Sequence, residues 1–143
     1  MEIIIGLPGS GKSYLCKEFE KKGYIVFDDF ISHFYDGKLI ELLECDKNKE
    51  IKICISDPRL CNYNTFLRFI ETFSIYFYEN PKNIHLTLFE NDAERCLENV
   101  KRRNSQGDLR KGVEKSISYL SAQYDLNNYT KDYPHAILPV YIQ

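Results

Sequence analysis

The sequence has 143 residues, and we predict a single domain over residues 1–143, since this is a typical domain length. Its 43% hydrophobic residues suffice for a full core, and its net charge of −2 excludes a protein that coats nucleic acid by overall positive charge. No stretch approaches the roughly 18 consecutive apolar residues of a membrane span, and no secretory pattern precedes the first apolar run. We therefore expect a soluble, cytoplasmic protein without membrane contact.

Short apolar runs alternate with amphipathic segments along the chain. Strands are predicted at 3–5, 24–27, 51–55, 84–89 and 136–142, and Pro139 places the last of these at a sheet edge. Helices are predicted at 12–22, at 30–43 with an interruption near 36–37, and at 62–78, where residues 80–81 end the helix. Two more are predicted, one that begins after an N-terminal cap at Asn91 and one from Val113 to Tyr124. Residues 104–112 are predicted as a loop. This order predicts an α/β fold with a mostly parallel sheet of about five strands between two helical layers.

The five cysteines are odd in number and lack any spacing typical of a zinc site. Cys54 lies in an apolar strand pattern and Cys96 on an apolar helical stripe, so packing is the expected role of both. We interpret all five as reduced.

A phosphate-binding motif follows the first predicted strand. The motif G-x-x-x-x-G-K-[ST] is matched at every fixed position and leads into a predicted helix. Its glycines let backbone N–H groups surround a phosphate, its lysine can bridge the β- and γ-phosphates, and its serine can bind Mg²⁺. The sequence thus predicts that a nucleoside triphosphate and Mg²⁺ are bound by Gly6, Leu7, Pro8, Gly9, Ser10, Gly11, Lys12 and Ser13.

Three further blocks separate this chain from other P-loop proteins: FDDF at 27–30, ISD at 55–57 and VKRRNS at 100–105. With the P-loop, and over about residues 1–125, they resemble the small P-loop kinases of the bacteriophage polynucleotide kinase and zeta-toxin type, most of all the 5′-kinase domain of the former. The resemblance implies a three-layer P-loop NTPase fold with a short basic lid, and an ATP-dependent kinase. One position departs from this resemblance: polynucleotide kinases carry an arginine where this sequence has Ile31. His33 or Arg59 would have to take over the role of that arginine.

The resemblance implies a role for two aspartates. Asp28 matches the general base that takes the proton of the acceptor hydroxyl, although Asp28 as a helix cap or Asp29 as the base are alternatives. Asp57 ends an apolar strand, where P-loop proteins often keep a carboxylate for the magnesium shell, and in the resembled kinases it lies near the acceptor. A turn-forming role for Asp57 before Pro58 is the alternative. We assign Ser13 and Asp57 to the metal, and Asp28, Asp57 and Arg59 to the acceptor.

Positive charge is concentrated between residues 95 and 115. This segment has seven Lys or Arg and three Asp or Glu, hence +4, which leaves −2 − 4 = −6 for the remainder. We predict a lid at about 102–112 in which Arg103 contacts the nucleotide and Arg103 and Arg110 assist phosphoryl transfer. A solvated helix end is the alternative explanation.

Three hypotheses for function follow. The first is a kinase acting on a hydroxyl of DNA or RNA, either a 5′-OH end or, as in bacteriophage DNA modification, a hydroxymethylated base. The second is a nucleotide or other small-molecule kinase, with Arg59 and Arg68 binding an acceptor phosphate. The third is a non-catalytic ATP-binding protein in which Asp28 only caps a helix. GTP is not expected, since the base-reading motif N/T-K-x-D is absent.

Overall fold

The computed structural model describes residues 1–33, 35–46, 50–77, 83–105 and 112–142. Strands and helices alternate through these residues, as the sequence predicted. A short 3₁₀ helix, Pro58–Cys61, follows the third strand. In chain order the elements are β1 (Glu2–Ile5), α1 (Lys12–Lys21), β2 (Ile25–Asp28), α2 (Asp36–Cys45), β3 (Ile53–Ser56), α3 (Tyr63–Phe77), β4 (His85–Phe89), α4 (Ala93–Ser105), α5 (Val113–Gln123), α6 (Asn127–Thr130) and β5 (His135–Leu138).

The five strands form one parallel sheet in the order β2-β3-β1-β4-β5, which confirms the predicted α/β class. β1 is central: Ile3 is in register with Ile55 of β3 and with Leu86 of β4. All four β1 residues are buried, as expected for a parallel strand covered on both faces. β5 is an edge strand, as predicted, but it ends at Leu138 and not at residue 142, because Pro139 has no N–H to donate to the sheet.

Side chains pack against both faces of the sheet. On one face, Ile3 and Ile5 join a large core that includes Phe66 and Phe73 of α3 and Ile117 of α5. On the other face, a smaller group packs against α1 and consists of Ile4, Cys16, Cys54 and Phe89. The sheet therefore lies between two helical layers and fixes the position of the loop that leaves β1.

Two local predictions were wrong. The segment 30–43 is not a helix broken near residue 36: residues 30–33 form turns and α2 begins at Asp36, where a carboxylate in the first turn is favourable. Asn91 does not cap α4, because Asp92 Oδ1 accepts the backbone N–H of Arg95 at 3.1 Å. The amide of Asn91 donates to the carbonyl oxygens of Ser121 and Tyr124 instead.

Two other predictions fall partly or wholly on residues that the structure does not describe. α4 continues through residue 105, so the predicted loop 104–112 starts later, and its residues 106–111 lie outside the described residues. The helix break predicted at 80–81 also lies outside them. In the described part of the chain no helix is long and apolar enough to cross a membrane. The five cysteines are free, and Cys54 and Cys96 are buried.

Candidate functional site

A cleft of about 760 Å³ opens at the carboxyl edge of the sheet. It is lined by the loop after β1, by the ends of β2 and β3, by one face each of α4 and α5, and by Tyr141. In parallel α/β sheets this edge is where ligands bind. Of the residues that were predicted from sequence to act together, Lys12, Ser13, Asp28, Arg59 and Arg103 line this cleft.

The P-loop has the backbone that a phosphate cradle needs. Gly9 and Gly11 adopt positive φ angles of 84° and 108°, and the N–H of Ser10 donates to the carbonyl of Leu7 at 3.1 Å. A Cβ on Gly9 would lie 2.6 Å from the carbonyl oxygen of Cys96, so α4 packs directly on the loop. Turns of this kind, followed by a helix N-terminus, orient N–H groups toward one anion.

Lys12 places a buried ammonium group under this loop. Only 7% of Lys12 is exposed, its Nζ donates to the Leu7 carbonyl at 2.7 Å, and no described carboxylate lies within 4 Å of Nζ. Burial lowers the pKa of Lys12. Burial also raises the pKa of Cys61 to about 12 and that of Cys96 to about 11, so both neighbouring thiols stay neutral. A buried cation without a paired anion favours binding of phosphate.

Asp28 lies beside the serine of the motif. Its Oδ2 accepts the hydroxyl of Ser13 at 2.8 Å, and its Oδ1 accepts the N–H of Asp29 at 3.0 Å. Asp28 caps no helix, because α2 begins only at Asp36. Asp29 has a φ of 51° and is the one non-glycine residue with positive φ in the described part of the chain. Such backbone strain clusters at functional sites, and here it adjoins the predicted base.

Asp57 and Arg59 form a separate network at the end of β3. The fully buried Asp57 accepts the backbone N–H of Ile31 at 2.9 Å, and the backbone N–H and Nε of Arg59 at 2.8 and 3.2 Å. A terminal nitrogen of Arg59 donates to Ser32. Asp57 therefore holds Arg59 and the turn after β2 in place, and it is Asp28, not Asp57, that contacts Ser13.

The two predicted lid arginines differ in what the structure shows. Arg103 lies on α4 and lines the cleft, and its buried Nε has no hydrogen-bond acceptor among the described residues. Arg110 lies outside the described residues, so its assignment stays a prediction.

Sequence reasoning missed three residues that shape the cleft. Asn99 is buried on α4, and its Nδ2 donates to the carbonyls of Gly9 at 2.9 Å and of Tyr141 at 2.6 Å. The rings of Tyr14 and Tyr141 stack with centroids 5.2 Å apart. The sequence held one signal for Asn99: it is a polar residue beside the apolar stripe of α4, which is a position where a buried polar side chain needs a partner. No pattern in the sequence brings residue 141 back to the P-loop.

The oxygen donors at the site fit Mg²⁺. The hydroxyl of Ser13 and the carboxylate of Asp28 converge, and both are hard oxygen ligands. No cluster of three or more His, Cys, Asp or Glu that could hold a metal occurs within the described ranges. Such a site suits Mg²⁺ that is carried largely by nucleotide phosphates and takes one or two protein ligands. The carboxylate oxygens of Asp57 accept N–H groups of Ile31 and Arg59. Its role as a metal ligand stays a prediction.

Comparisons with known proteins agree with this architecture. No family model matches the chain. A gluconokinase from Sinorhizobium meliloti 1021 has a similar structure, with a TM-score of 0.57 and 13% identity over 99% of this chain and 83% of that one. The two chains therefore share a fold, in which helices flank a parallel sheet. The uncharacterized protein R277 of Acanthamoeba polyphaga mimivirus is 43% identical over 141 residues, 97% of this chain and 95% of the relative, and the chain belongs to the same family as that mimivirus protein.

Proposed function

We propose that this protein is an ATP-dependent kinase that transfers the γ-phosphoryl group of ATP to a hydroxyl group. The observation that carries the proposal is the contact between Ser13 and Asp28, which places a carboxylate next to the predicted position of the γ-phosphate. A P-loop that only bound nucleotide would not require a strained turn that presents this carboxylate to the cleft.

Each residue has a role in this proposal. Lys12 and the loop N–H groups bind the β- and γ-phosphates, and Asp28 orients the acceptor hydroxyl and accepts its proton. Ser13 would hold Mg²⁺, which supplies charge neutralisation on the phosphates when bound. Arg103 stabilises the charge that develops on the transferred group.

For the acceptor, we propose a hydroxyl of a nucleic acid, with a 5′-OH end as the first choice and a hydroxymethylated base as the second. The support is the FDDF, ISD and VKRRNS blocks, together with the basic end of α4 beside the cleft. Arg102 and Arg103 lie in its last turn, where they could contact a phosphate backbone.

A small anionic alcohol is the second candidate acceptor, and Arg59 favours it. The Arg59 side chain lines the cleft and is 47% exposed, while Asp57 and Ser32 fix its orientation. A guanidinium group held in this way suits a phosphate or carboxylate on a compact acceptor. Arg68, the other arginine considered for this role, is exposed on α3 and does not line the cleft.

A transfer assay separates these possibilities. The protein is incubated with Mg²⁺, ATP labelled at the γ-phosphate, and a panel of 5′-OH DNA and RNA, hydroxymethylated DNA, nucleosides, nucleoside monophosphates and sugar acids. We expect label in one acceptor class, and its loss in Asp28→Asn shows that no contaminating kinase is responsible. For a small anionic acceptor, Arg59→Gln should raise the acceptor KM while Arg68→Gln leaves it unchanged. ATP binding without transfer to any acceptor would overturn the kinase proposal.

A further inference from the structure

We propose that the rings of Tyr14 and Tyr141 form a platform on which the base of the nucleoside triphosphate stacks, and that this platform accepts purines and pyrimidines alike. The proposal rests on the proposed function for the binding of a triphosphate. It adds the site of the base and the selectivity for the phosphate donor.

The order of the strands determines where the base must lie. The P-loop follows the central strand β1, while Asp28 ends β2 and Arg59 follows β3 on one side of it. Tyr141 follows β5, on the other side. A triphosphate whose γ-phosphate faces Asp28 therefore extends its nucleoside toward Tyr141.

The two rings offer the surface that a base needs. Their planes are inclined by 21° with centroids 5.2 Å apart, and both residues line the cleft. Tyr14 is nevertheless 56% exposed and Tyr141 45% exposed. Aromatic rings pair in offset-stacked arrangements, so two stacked and accessible rings beside a phosphate site are well placed to receive another flat ring.

Tyr141 is held rigidly against the P-loop. Its N–H donates to the carbonyl of Ser10 at 3.0 Å, and its carbonyl accepts from Asn99 at 2.6 Å. A Cβ on Gly11 would lie 2.7 Å from Cβ of Tyr141, so glycine at that position permits the contact. A ring fixed to the loop that binds the phosphates is preorganised for the base of the same ligand.

The same hydrogen bonds explain why we expect tolerance of different bases. Both backbone polar groups of Tyr141 are engaged by Ser10 and Asn99, and the Nδ2 of Asn99 is engaged by Gly9 and Tyr141. The N–H donors among these groups are therefore already engaged and do not read the edge of a base. Stacking on an aromatic face is tolerant of base identity, because every base has a π-face.

Calorimetric titrations test the platform. Wild-type protein with Mg²⁺ is titrated with ATP, GTP, CTP, UTP and inorganic tripolyphosphate, and we expect the four nucleotides to bind within about tenfold of one another. Tyr14→Leu and Tyr141→Leu should each weaken every nucleotide roughly 5- to 100-fold and leave tripolyphosphate binding unchanged. Tyr141→Phe keeps the ring and should bind as the wild type does. Tyr119→Leu is the matched control, since Tyr119 is an exposed tyrosine of α5 that does not line the cleft.

The outcomes separate this inference from the proposed function. Unchanged nucleotide affinity in folded Tyr14→Leu and Tyr141→Leu would overturn the platform and leave triphosphate binding intact, and selectivity above about 100-fold for one base would overturn the tolerance. A wild type that binds neither nucleotides nor tripolyphosphate would overturn the proposed function instead. If the leucine variants do not fold, the fluorescence of 2-aminopurine riboside triphosphate decides: stacking should quench it upon binding to the wild type, and unquenched binding would overturn the platform.

Discussion

Ser13 and Asp28 are joined by a hydrogen bond of 2.8 Å although the strands that precede them are not neighbours in the sheet. β3 lies between β1 and β2, so the Asp28 side chain reaches the P-loop across the end of β3. The turn that follows Asp28 is held there by Asp57, which accepts the N–H of Ile31, and by Ser56, whose carbonyl accepts the N–H of Phe30 at 3.2 Å. The end of β3 thus fixes where the carboxylate of Asp28 lies.

Asp28→Asn tests whether this carboxylate accepts a proton. The amide keeps the size of the side chain and removes the base, so we expect kcat to fall roughly 10²–10⁴-fold while ATP affinity stays within a fewfold. Asp29→Asn is the control, because asparagine tolerates the positive φ of this position. The measurement is kcat and the KM for ATP of both variants. A loss of kcat in Asp29→Asn alone would assign the base to Asp29.

Lys12→Met should abolish phosphoryl transfer and yet stabilise the protein without ligand. Methionine fills the space of the buried lysine chain without its charge, and among the described residues the Lys12 ammonium group donates only to the carbonyl of Leu7. We expect the free energy of unfolding to rise by roughly 1–3 kcal/mol, measured by denaturant titration. Unchanged turnover would contradict the assignment of Lys12 to the phosphates, and a clearly less stable variant would contradict its role as an uncompensated buried charge.

The stability difference between the wild type and Lys12→Met should also depend on pH. Because burial lowers the pKa of Lys12, the folded protein releases this proton at a lower pH than the unfolded chain does. The cost of the buried charge is therefore complete below the lowered pKa and decreases as the pH rises toward the ordinary value of 10.5. Melting temperatures of both proteins from pH 7 to pH 10 should converge; a constant difference would contradict the lowered pKa.

Much of the fold was predictable because its signals are local. The apolar run before the P-loop, the glycines and the periodicity of α3 predicted β1, α1 and α3 from neighbouring residues alone. One error arose where two neighbouring residues are equally suited to cap a helix. Asn91 and Asp92 are both good N-terminal caps, and only the carbonyl groups of Ser121 and Tyr124, which engage Asn91, decide between them.

The candidate site was predictable in its phosphate-binding half and not in its nucleoside half. The P-loop and Asp28 lie directly at strand ends, so the motif and the strand pattern were enough to place them. The position of Tyr141 depends on β5 pairing with β4 and on hydrogen bonds to Ser10 and Asn99, which are tertiary contacts without a sequence signature. Asp57 was placed at the correct edge, but its partners, the N–H groups of Ile31 and Arg59, follow from the folded turn.

Gly9→Ala should disrupt the site through the backbone. Alanine disfavours the φ of 84°, at a cost of about 1–2 kcal/mol, and its Cβ would collide with the carbonyl of Cys96 on α4. We expect a less stable protein that binds nucleotide poorly. Gly37→Ala is the matched control: its Cβ would meet open space in α2, so stability should rise by about 0.5–1 kcal/mol with nucleotide affinity unchanged. Normal stability and affinity in Gly9→Ala would contradict the close approach of α4 to the loop.

Arg103→Ala tests the proposed contact of α4 with the transferred phosphoryl group. The buried Nε of Arg103 has no acceptor within the described residues, and the side chain lines the cleft, so it is available to a ligand there. If it stabilises charge that develops during transfer, kcat should fall roughly 10²–10³-fold, with a smaller change in the KM for ATP. Arg95→Ala on the same helix is the control, because Arg95 pairs with Asp92 and does not line the cleft.

The same two variants distinguish this role from a grip on a nucleic-acid acceptor. If Arg103 only contacted a duplex backbone, its removal would weaken acceptor binding and reduce the slope of log affinity against log salt by about 0.9, since one phosphate contact would be lost. The measurement is kcat, the KM for ATP, the KM for the acceptor and the salt dependence, for the wild type, Arg103→Ala and Arg95→Ala. Because transition-state stabilisation lowers the barrier itself, we expect the rate to fall at every salt concentration. An unaltered kcat with a smaller salt slope would show that Arg103 binds the acceptor and does not act on the γ-phosphoryl group.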